Sequence, residues 1–203
     1  MMVSNQDAAE LASPRELELR LKLIPPGDTV RGYFFNCALE QVRLQGDEEA
    51  LRRCVEASGL ESPTAFFKYP MSALLRLLYH VAWALNDSRG GFEASLRLLG
   101  QWTAKEFLRG SVGRTMLLLA GRNLKRLADY LPTAYGTGWE HGWGEVMWTG
   151  SGQCLVSIHG NVVPYPYFEG VFLEVFQAAG ATNLKVRGWQ LGTAHTRYSL
   201  SWD

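Results

Sequence analysis

Apolar residues recur at helical spacing through the first two-thirds of the chain. After Ser72, for example, Leu74, Leu78, Val81 and Leu85 fall on one helical face. The same period runs through the segments TVRGYFFNCALEQVRL, DEEALRRCVEAS, residues 92–108, RTMLLLAG and NLKRLADYL. Acidic residues at helix starts and glycines at helix ends place the boundaries of several of these segments. The pattern therefore predicts a mostly helical N-terminal part.

One segment near the N-terminus has a different period. In ELELRLKLI, residues 16–24, leucines alternate strictly with charged residues, which predicts a strand. A helix stays open as the alternative, because Leu, Glu, Lys and Arg are all good helix formers. The sequence PPGD at Pro25 to Asp28 ends the element in either case. Residues 1–14 are predicted to be a flexible tail, with a single domain over residues 15–203.

The last third of the chain switches to strand periodicity. EVMWT and QCLVSIH flank Gly150-Ser151-Gly152, and NLKVRGWQ and HTRYSLSW flank residues 191–194, so two hairpins are predicted. In the final strand Thr196, Tyr198, Leu200 and Trp202 share one face, which should be the packed one.

Between the hairpins the segment GNVVPYPYFEGVFLEVFQAAGA predicts an amphipathic helix over residues 167–179. Pro164 and Pro166 suit a helix start, because proline fixes φ and is tolerated in a first turn. Gly170 lies one turn into the helix, where it costs about 1 kcal/mol against alanine. We expect it to mark a close approach of another backbone or of a ligand. The predicted fold is α+β, with the helical N-terminal two-thirds packed on a C-terminal antiparallel ββαββ sheet layer.

Composition and charge restrict the functions that fit. The 203 residues are 47% hydrophobic and carry 20 basic and 20 acidic side chains, which is typical of a folded domain and argues against a general nucleic-acid grip. The N-terminus lacks a signal-peptide pattern, and the most apolar run is interrupted by Arg76 and His80. We therefore expect a cytoplasmic protein without a membrane span. The three widely spaced cysteines predict reduced, buried thiols.

Candidate chemistry is sparse. His141, His159 and His195 with Cys154 supply zinc-ligand types, but without a diagnostic spacing, so polar strand positions are the favoured interpretation. His80 lies beside the apolar stripe of its helix and is most simply a core histidine. The segment GSVGRTMLLLAGR lacks phosphate-loop spacing, and no G-x-S-x-G is present. We expect no metal, no cofactor and no enzymatic activity.

Two further segments invite a binding role. Residues 105–126 contain six basic residues and one acid, Glu106, which fits an anion or acidic-partner patch as well as an ordinary solvated helix face. The segment GTGWEHGWGEVMW, residues 136–148, is rich in glycine and tryptophan. It fits a lid over a pocket or an irregular edge packed on the core.

The chain resembles an uncharacterised family of proteins of about 200 residues that myxobacteria carry as many paralogues. The resemblance rests on IPPGDTVRGYFFN, FFKYP, GGFEASLRLLG, GRTMLLLAGRNLKRL, LPTAY, GEVMWTG, PYPYFEGVFLEVFQAAGA and YSLSW. More distantly, the helical front followed by ββαββ is similar to vinyl-4-reductase-type and heme-nitric-oxide-type domains. That similarity implies binding of a small apolar molecule or heme between helices and sheet, coupled to signalling. It also implies that His80 is a candidate axial heme ligand. The segment TAHTRYSLSW lacks the cysteines of the vinyl-4-reductase pattern.

Three functions compete on this basis: a non-enzymatic small-molecule sensor, a protein-interaction adaptor, and an unrecognised enzyme. The sensor hypothesis predicts an apolar pocket between helices and sheet, with a protein partner or homodimer possible as well. An enclosed apolar cavity would favour the sensor, whereas a filled interior with an exposed apolar patch would favour the adaptor. The predicted pocket residues are Tyr79, Trp83, Trp102, Tyr167, Phe168 and Gly170.

Overall fold

The computed structural model describes residues 11–121 and 123–203 of the chain. These residues form eight helices: α1 (Pro14–Leu21), α2 (Gly32–Arg43), α3 (Glu48–Ser58), α4 (Met71–Arg89), α5 (Phe92–Arg109), α6 (Ser111–Ala120), α7 (Leu124–Gly138) and α8 (Tyr165–Ala178). They also form six strands: β1 (Thr29–Arg31), β2 (Lys68–Pro70), β3 (Trp143–Gly150), β4 (Gln153–His159), β5 (Lys185–Gly192) and β6 (His195–Ser201). The predicted α+β class is confirmed. Within the described residues no helix combines the length and apolar character that a membrane span requires.

The strand predicted over residues 16–24 is wrong, because α1 is a helix. The Ser13 hydroxyl accepts a hydrogen bond from the Glu16 amide at 3.1 Å, and Pro14 occupies the first turn. Leu17 and Arg20, one turn apart, are the buried residues of α1, while Leu19 is 47% exposed. The alternation of leucine with charge therefore did not report which side chains are buried.

The predicted tail lies mostly in residues 1–10, outside the described part of the chain. Its last residues pack on the body of the protein: Leu11 is buried, and the Trp83 indole donates a hydrogen bond to the Ala12 carbonyl at 2.9 Å. Aromatic packing thus extends the folded region upstream of residue 15.

The remaining predicted helices are confirmed, except that the helix predicted from Thr29 begins at Gly32 because Thr29–Arg31 is a strand. α3 starts at the side-chain cap of Asp47 and ends at Gly59, and α4 ends at Gly90, with both glycines in the left-handed region. The short antiparallel pair β1–β2 was not predicted. It joins Thr29–Arg31 to Lys68–Pro70 and holds the start of α2 beside α4.

The C-terminal part is a four-stranded antiparallel sheet in the order β3-β4-β6-β5, as the two predicted hairpins require. In β6, Thr196, Tyr198 and Leu200 are fully buried while the intervening residues are partly exposed. α8 packs across the inner face of this sheet, and the helical layer packs on α8. The predicted ββαββ layer and its packed face are confirmed.

The closest helix contact joins α5 and α8 through two glycines. A Cβ on Gly170 would lie 1.9 Å from the Arg97 carbonyl oxygen, and a Cβ on Gly100 would lie 1.8 Å from the Tyr167 carbonyl oxygen. Any larger residue at either position would force the helices apart. The close backbone approach predicted for Gly170 is therefore a helix–helix contact.

A partly buried ion pair, with Glu169 as its buried partner, lies at the same crossing. The Glu169 carboxylate, which is only 5% exposed, accepts hydrogen bonds from Arg97, with 2.8 Å from Arg97 Nε to Oε2. Its other oxygen accepts the Gly188 amide of β5 at 2.5 Å. One carboxylate thus joins α5, α8 and the sheet, and both of its oxygens are satisfied, as burial of a charge requires.

We predict that Gly170→Ala destabilises the protein by about 1–3 kcal/mol or more, because the added methyl group overlaps the α5 backbone. The matched control is Gly136→Ala in α7, where no heavy atom lies within 4 Å of the added Cβ. That control should be neutral or stabilising by about 0.5–1 kcal/mol. Chemical denaturation measures both values. Equal effects of the two substitutions would contradict the close crossing.

Candidate functional site

The six residues predicted to line a pocket fall into separate groups. Tyr79 and Trp83 form an aromatic group with Phe92, with ring centroids 5.2–6.2 Å apart. The Tyr79 hydroxyl donates to the Glu16 carboxylate of α1. Because Trp83 also bonds to Ala12, this group anchors the N-terminal segment to α4 and α5. Trp102 is half-buried elsewhere on α5, with the Lys105 ammonium 5.9 Å from its ring centre.

Tyr167 and Phe168 are the two predicted residues that the fold brings into one aromatic cluster. We define the seam cluster as the rings of Phe34, Tyr135, Trp139, Tyr167 and Phe168. Neighbouring rings in this cluster have centroids 5.0–6.5 Å apart, which is the range of favourable aromatic packing. Gly170 contacts the backbone of α5 instead. The seam cluster joins α2, α7 and α8, and so fills the junction between the helical layer and the sheet layer.

A narrow cleft opens at the edge of this cluster. The seam cleft is lined by Asp28, Thr29, Met71, Tyr135, Trp139, Glu140, His141, Gly160, Asn161 and Val162, and its volume is about 10 Å³. That volume holds about one water molecule. Burial raises the pKa of Asp28, while the nearby His141 opposes the rise. The cleft is thus a polar mouth above an aromatic interior.

Trp139 separates the mouth from the interior. It caps the C-terminal end of α7, is half-buried, and packs on Tyr135, Phe34 and Phe168. The glycine- and tryptophan-rich segment that contains it is otherwise the end of α7 and the start of β3, with Trp143 exposed at 55% and Trp148 bonded to Asp129. The segment is therefore not one continuous lid. Trp139 is its ring that lies between the seam cleft and the seam cluster.

Tyr198 lies on the inner face of the sheet against this cluster. Its ring contacts Phe168 and Phe172 at centroid distances of 6.5 and 5.0 Å. The side chain is fully buried, and its hydroxyl makes no hydrogen bond of normal geometry with the described residues, although the Thr196 side chain lies near enough to oppose the rise in the pKa of Tyr198. Burial raises the pKa of Tyr198, so the hydroxyl is a neutral donor and acceptor. An unpaired buried hydroxyl costs about 1–3 kcal/mol, and such a group calls for water or a ligand.

Arg20 lies next to the seam cleft and bonds to the backbone of its lining residue Val162. Its guanidinium is buried, pairs with Glu16, and donates to the carbonyls of Val162 and Thr193 at 3.0 Å each. It also donates to Gln190 Oε1 at 2.9 Å. Arg20 therefore ties α1 to the sheet layer beside the seam cleft. The pattern of charged and apolar residues in α1 gave no signal of this role.

The histidines and cysteines do not converge. His159 and His195 stack at 4.0 Å on the outer face of the sheet beside Trp143, whereas Cys154 is buried on the inner face. His141 lines the seam cleft. No group of three or more His, Cys, Asp or Glu side chains within residues 11–121 and 123–203 is placed to hold a metal ion. The absence of metal in the protein stays a prediction.

The comparison with protein families identifies the chain. Residues 23–203 match the family described as a protein of unknown function, DUF2378. The chain belongs to the DUF2378 family. A search of curated proteins finds no significant match. The myxobacterial origin and the vinyl-4-reductase similarity stay predictions.

Solved structures of other proteins have a fold similar to that of this DUF2378 protein. The Fe(II) unliganded H-NOX protein from K. algicida superposes with a TM-score of 0.65 at 13% identity, over 85% of this chain and 96% of that one. A single-residue mutant of the T. tengcongensis H-NOX gives a TM-score of 0.65 at 12% identity, over 85% and 97% of the two chains. The heme-nitric-oxide-type similarity is thus confirmed at the level of fold.

Heme does not fit the interior of this DUF2378 protein. The junction between helices and sheet is filled by the seam cluster, and the seam cleft holds about 10 Å³. The candidate axial ligand His80 is half-buried on α4 and packs against Trp83 at 5.0 Å, away from the seam cluster. His159 and His195 lie on the outer sheet face. A heme site would require both a large cavity and an inward ligand.

The three thiols provide a test of the packing. Cys37, Cys54 and Cys154 are buried and free, and burial raises the pKa of each to about 11. Because the thiolate is the nucleophile, a raised pKa and burial both slow reaction near neutral pH. We predict that a thiol reagent at pH 8 labels the native protein slowly, whereas the chain unfolded without reductant gives three thiols at once. Fast labelling of any native cysteine would contradict the buried assignments.

Proposed function

We propose that this DUF2378 protein is a non-enzymatic, ligand-sensing domain that binds a small, mainly apolar molecule at the seam. The ligand would carry one polar atom that pairs with the Tyr198 hydroxyl. The observation that carries the proposal is this buried, unpaired hydroxyl against the seam cluster, below a cleft closed by one half-buried indole. Apolar walls with a few placed polar groups are the common form of small-molecule sites.

The fold supports the proposal. The H-NOX protein of K. algicida is described as Fe(II) and unliganded, and heme distortion is a studied property of the H-NOX family. The same scaffold in this chain has aromatic side chains in the junction between helices and sheet. We infer that this chain keeps the location of the ligand and takes a smaller molecule without heme.

The side chains suggest how a ligand would enter. Rotation of Trp139 would join the cleft to the interior, and the flanking Gly138 and Gly142 offer backbone freedom for that movement, with Gly142 at φ +87°. The ligand would replace part of the indole packing on Phe168. Since Trp139 ends α7, its displacement would move the last turn of that helix, which packs on β3. This movement is the proposed signal.

The proposal is non-enzymatic, and two of the polar groups at the mouth, Asn161 and the Tyr135 hydroxyl, are engaged in structure. Asn161 exchanges two hydrogen bonds of 3.0 Å with the Val163 backbone. The Tyr135 hydroxyl donates to the His141 carbonyl at 3.3 Å. The Asn161 bonds hold the loop between β4 and α8, and the Tyr135 bond holds the segment between α7 and β3.

A second candidate is a protein-interaction adaptor without a small-molecule ligand. It is favoured by the filled interior and by the apolar side chains that α6 exposes, among them Leu118 and Leu119 at 81% and 71%. The two candidates differ in what they require of Tyr198. A sensor needs the hydroxyl as a contact, whereas an adaptor gains nothing from it.

We predict opposite effects of Tyr198→Phe in the two cases. If a co-purified molecule pairs with the hydroxyl, the substitution removes a hydrogen bond and lowers the free energy of unfolding by about 0.5–1.5 kcal/mol. If the hydroxyl has no partner, the substitution is neutral or stabilising. Denaturation of the purified protein gives the sign, and Tyr130→Phe on the surface of α7 is the control.

Native mass spectrometry and thermal shifts complete the test. We expect a non-covalent small molecule in the purified wild-type protein, or a larger thermal shift with phenol or indole than with toluene. Tyr198→Phe should remove that preference, a change of ~2- to 10-fold in affinity. Trp139→Ala should strengthen binding by opening the cleft, while Trp143→Ala, at an exposed ring, should not. No bound molecule and no shift in wild type or Trp139→Ala would overturn the sensor proposal.

A further inference from the structure

Helix α6 is an apolar helix that the fold leaves largely uncovered. Of its ten residues, only Gly113 and Ala120 are buried. Val112, Leu118 and Leu119 are 68%, 81% and 71% exposed. Isolated exposed leucines are ordinary, but a helix that turns half of its apolar side chains to solvent marks an interaction surface.

A groove runs beside this helix. The α6 groove, about 810 Å³ and open to solvent, is lined by Arg114, Leu117, Leu118, Gly121, Ala178, Ala179 and Gly180. One wall is therefore leucine side chains of α6, and the other is the small residues that end α8. Small residues let a second backbone approach closely. A concave apolar trough with one smooth wall fits a helix laid along it.

Basic residues lie on the α6 side of the groove, while the acid Glu174 lies one turn before Ala178 on the α8 side. Arg114 lies in the groove and forms no ion pair with the described residues, while Arg109 and Lys125 lie on the adjoining helices. Arg109 pairs with Glu106, the one acid in residues 105–126, where six basic residues occur. Arg126 donates to the Leu119 carbonyl at the end of α6, at 3.3 Å. Arg122 lies outside the described residues.

We propose that the α6 groove docks an amphipathic helix of a partner protein that has an apolar face and acidic flanks. Leucine-sized side chains of the partner would contact Leu117 and Leu118, and its carboxylates would pair with Arg114 and the neighbouring cations. Charge complementarity selects this occupant. A second copy of the chain would place the same basic surface against itself, and a flat membrane would leave the concave trough unfilled. This docking site is separate from the proposed ligand site at the seam.

The test uses a synthetic amphipathic peptide of roughly four helical turns, with leucine at i, i+3, i+4 and i+7 and glutamate on the other face. A matched peptide carries lysine in place of glutamate. Fluorescence anisotropy with the full chain should show saturable binding of the glutamate peptide that weakens as salt is raised. The lysine peptide should bind at least ~10-fold more weakly, since like charges at a close interface are unfavourable.

Three variants test whether the glutamate peptide binds specifically in the α6 groove. Leu118→Asp should weaken the glutamate peptide by ~10-fold or more, as loss of a central apolar contact does. Arg114→Glu should weaken it several-fold, by roughly the worth of one charge pair, and should improve binding of the lysine peptide. The control is Leu191→Asp, at an apolar residue 44% exposed on β5, and it should change nothing. All three positions are exposed, so circular dichroism should find each variant folded.

Three results would overturn the proposal. The first is equal binding of both peptides, or binding of neither. The second is a dimer of the wild-type chain in light scattering that Leu118→Asp dissociates, which would make a second copy the occupant. The third is binding of the full chain to vesicles of phosphatidylserine and phosphatidylcholine, with no binding of the glutamate peptide. In that result, Leu118→Asp abolishes the vesicle binding.

Discussion

The contact between α5 and α8 through Gly100 and Gly170 is the constraint on which the rest of the structure depends. Two backbones meet there with no room for a Cβ on either side. The Arg97–Glu169 pair fixes the rotation of the helices, and the Gly188 amide joins them to β5. Breaking a buried pair of this kind by removing one partner is costly, because the other charge is left without compensation. The crossing therefore sets the distance between the helical layer and the sheet.

That distance determines what the seam can hold. With α8 drawn against α5, Tyr167 and Phe168 lie among the rings of Phe34, Tyr135 and Trp139, and these rings occupy the junction. The H-NOX-like fold is thus retained, and aromatic side chains fill the junction between its helices and its sheet. Among the described residues, what is left at the junction is a polar mouth, the half-buried Trp139 indole and the buried Tyr198 hydroxyl.

The sequence predicted the layers better than the site, for a physical reason. Helical and strand periods report which face of an element is buried, so α8, both hairpins and the inward face of β6 were predictable from the residues alone. α1 was not, because its buried face is Leu17 with Arg20, and the burial of Arg20 depends on carbonyls more than 140 residues away. Local pattern contains no information about such partners.

The pocket residues were harder still. Tyr79, Trp83 and Trp102 are aromatic residues of two helices, yet which neighbour each ring meets is decided by the rotation of the helices and by the N-terminal segment. Trp139 and Tyr198, which flank the seam, gave only weak signals: a tryptophan in a glycine-rich segment and a tyrosine on the packed face of a strand. The complete burial of Tyr198 and the surroundings of its hydroxyl depend on the tertiary structure, so the sequence does not show them.

A crystal structure of the protein as purified, at a resolution that shows ordered small molecules, tests the central claim most directly. The account predicts electron density for a small molecule between Trp139 and the sheet, with one polar atom within about 3.2 Å of the Tyr198 hydroxyl oxygen. Density for closely packed side chains alone, with that hydroxyl bonded to the protein itself, would contradict it.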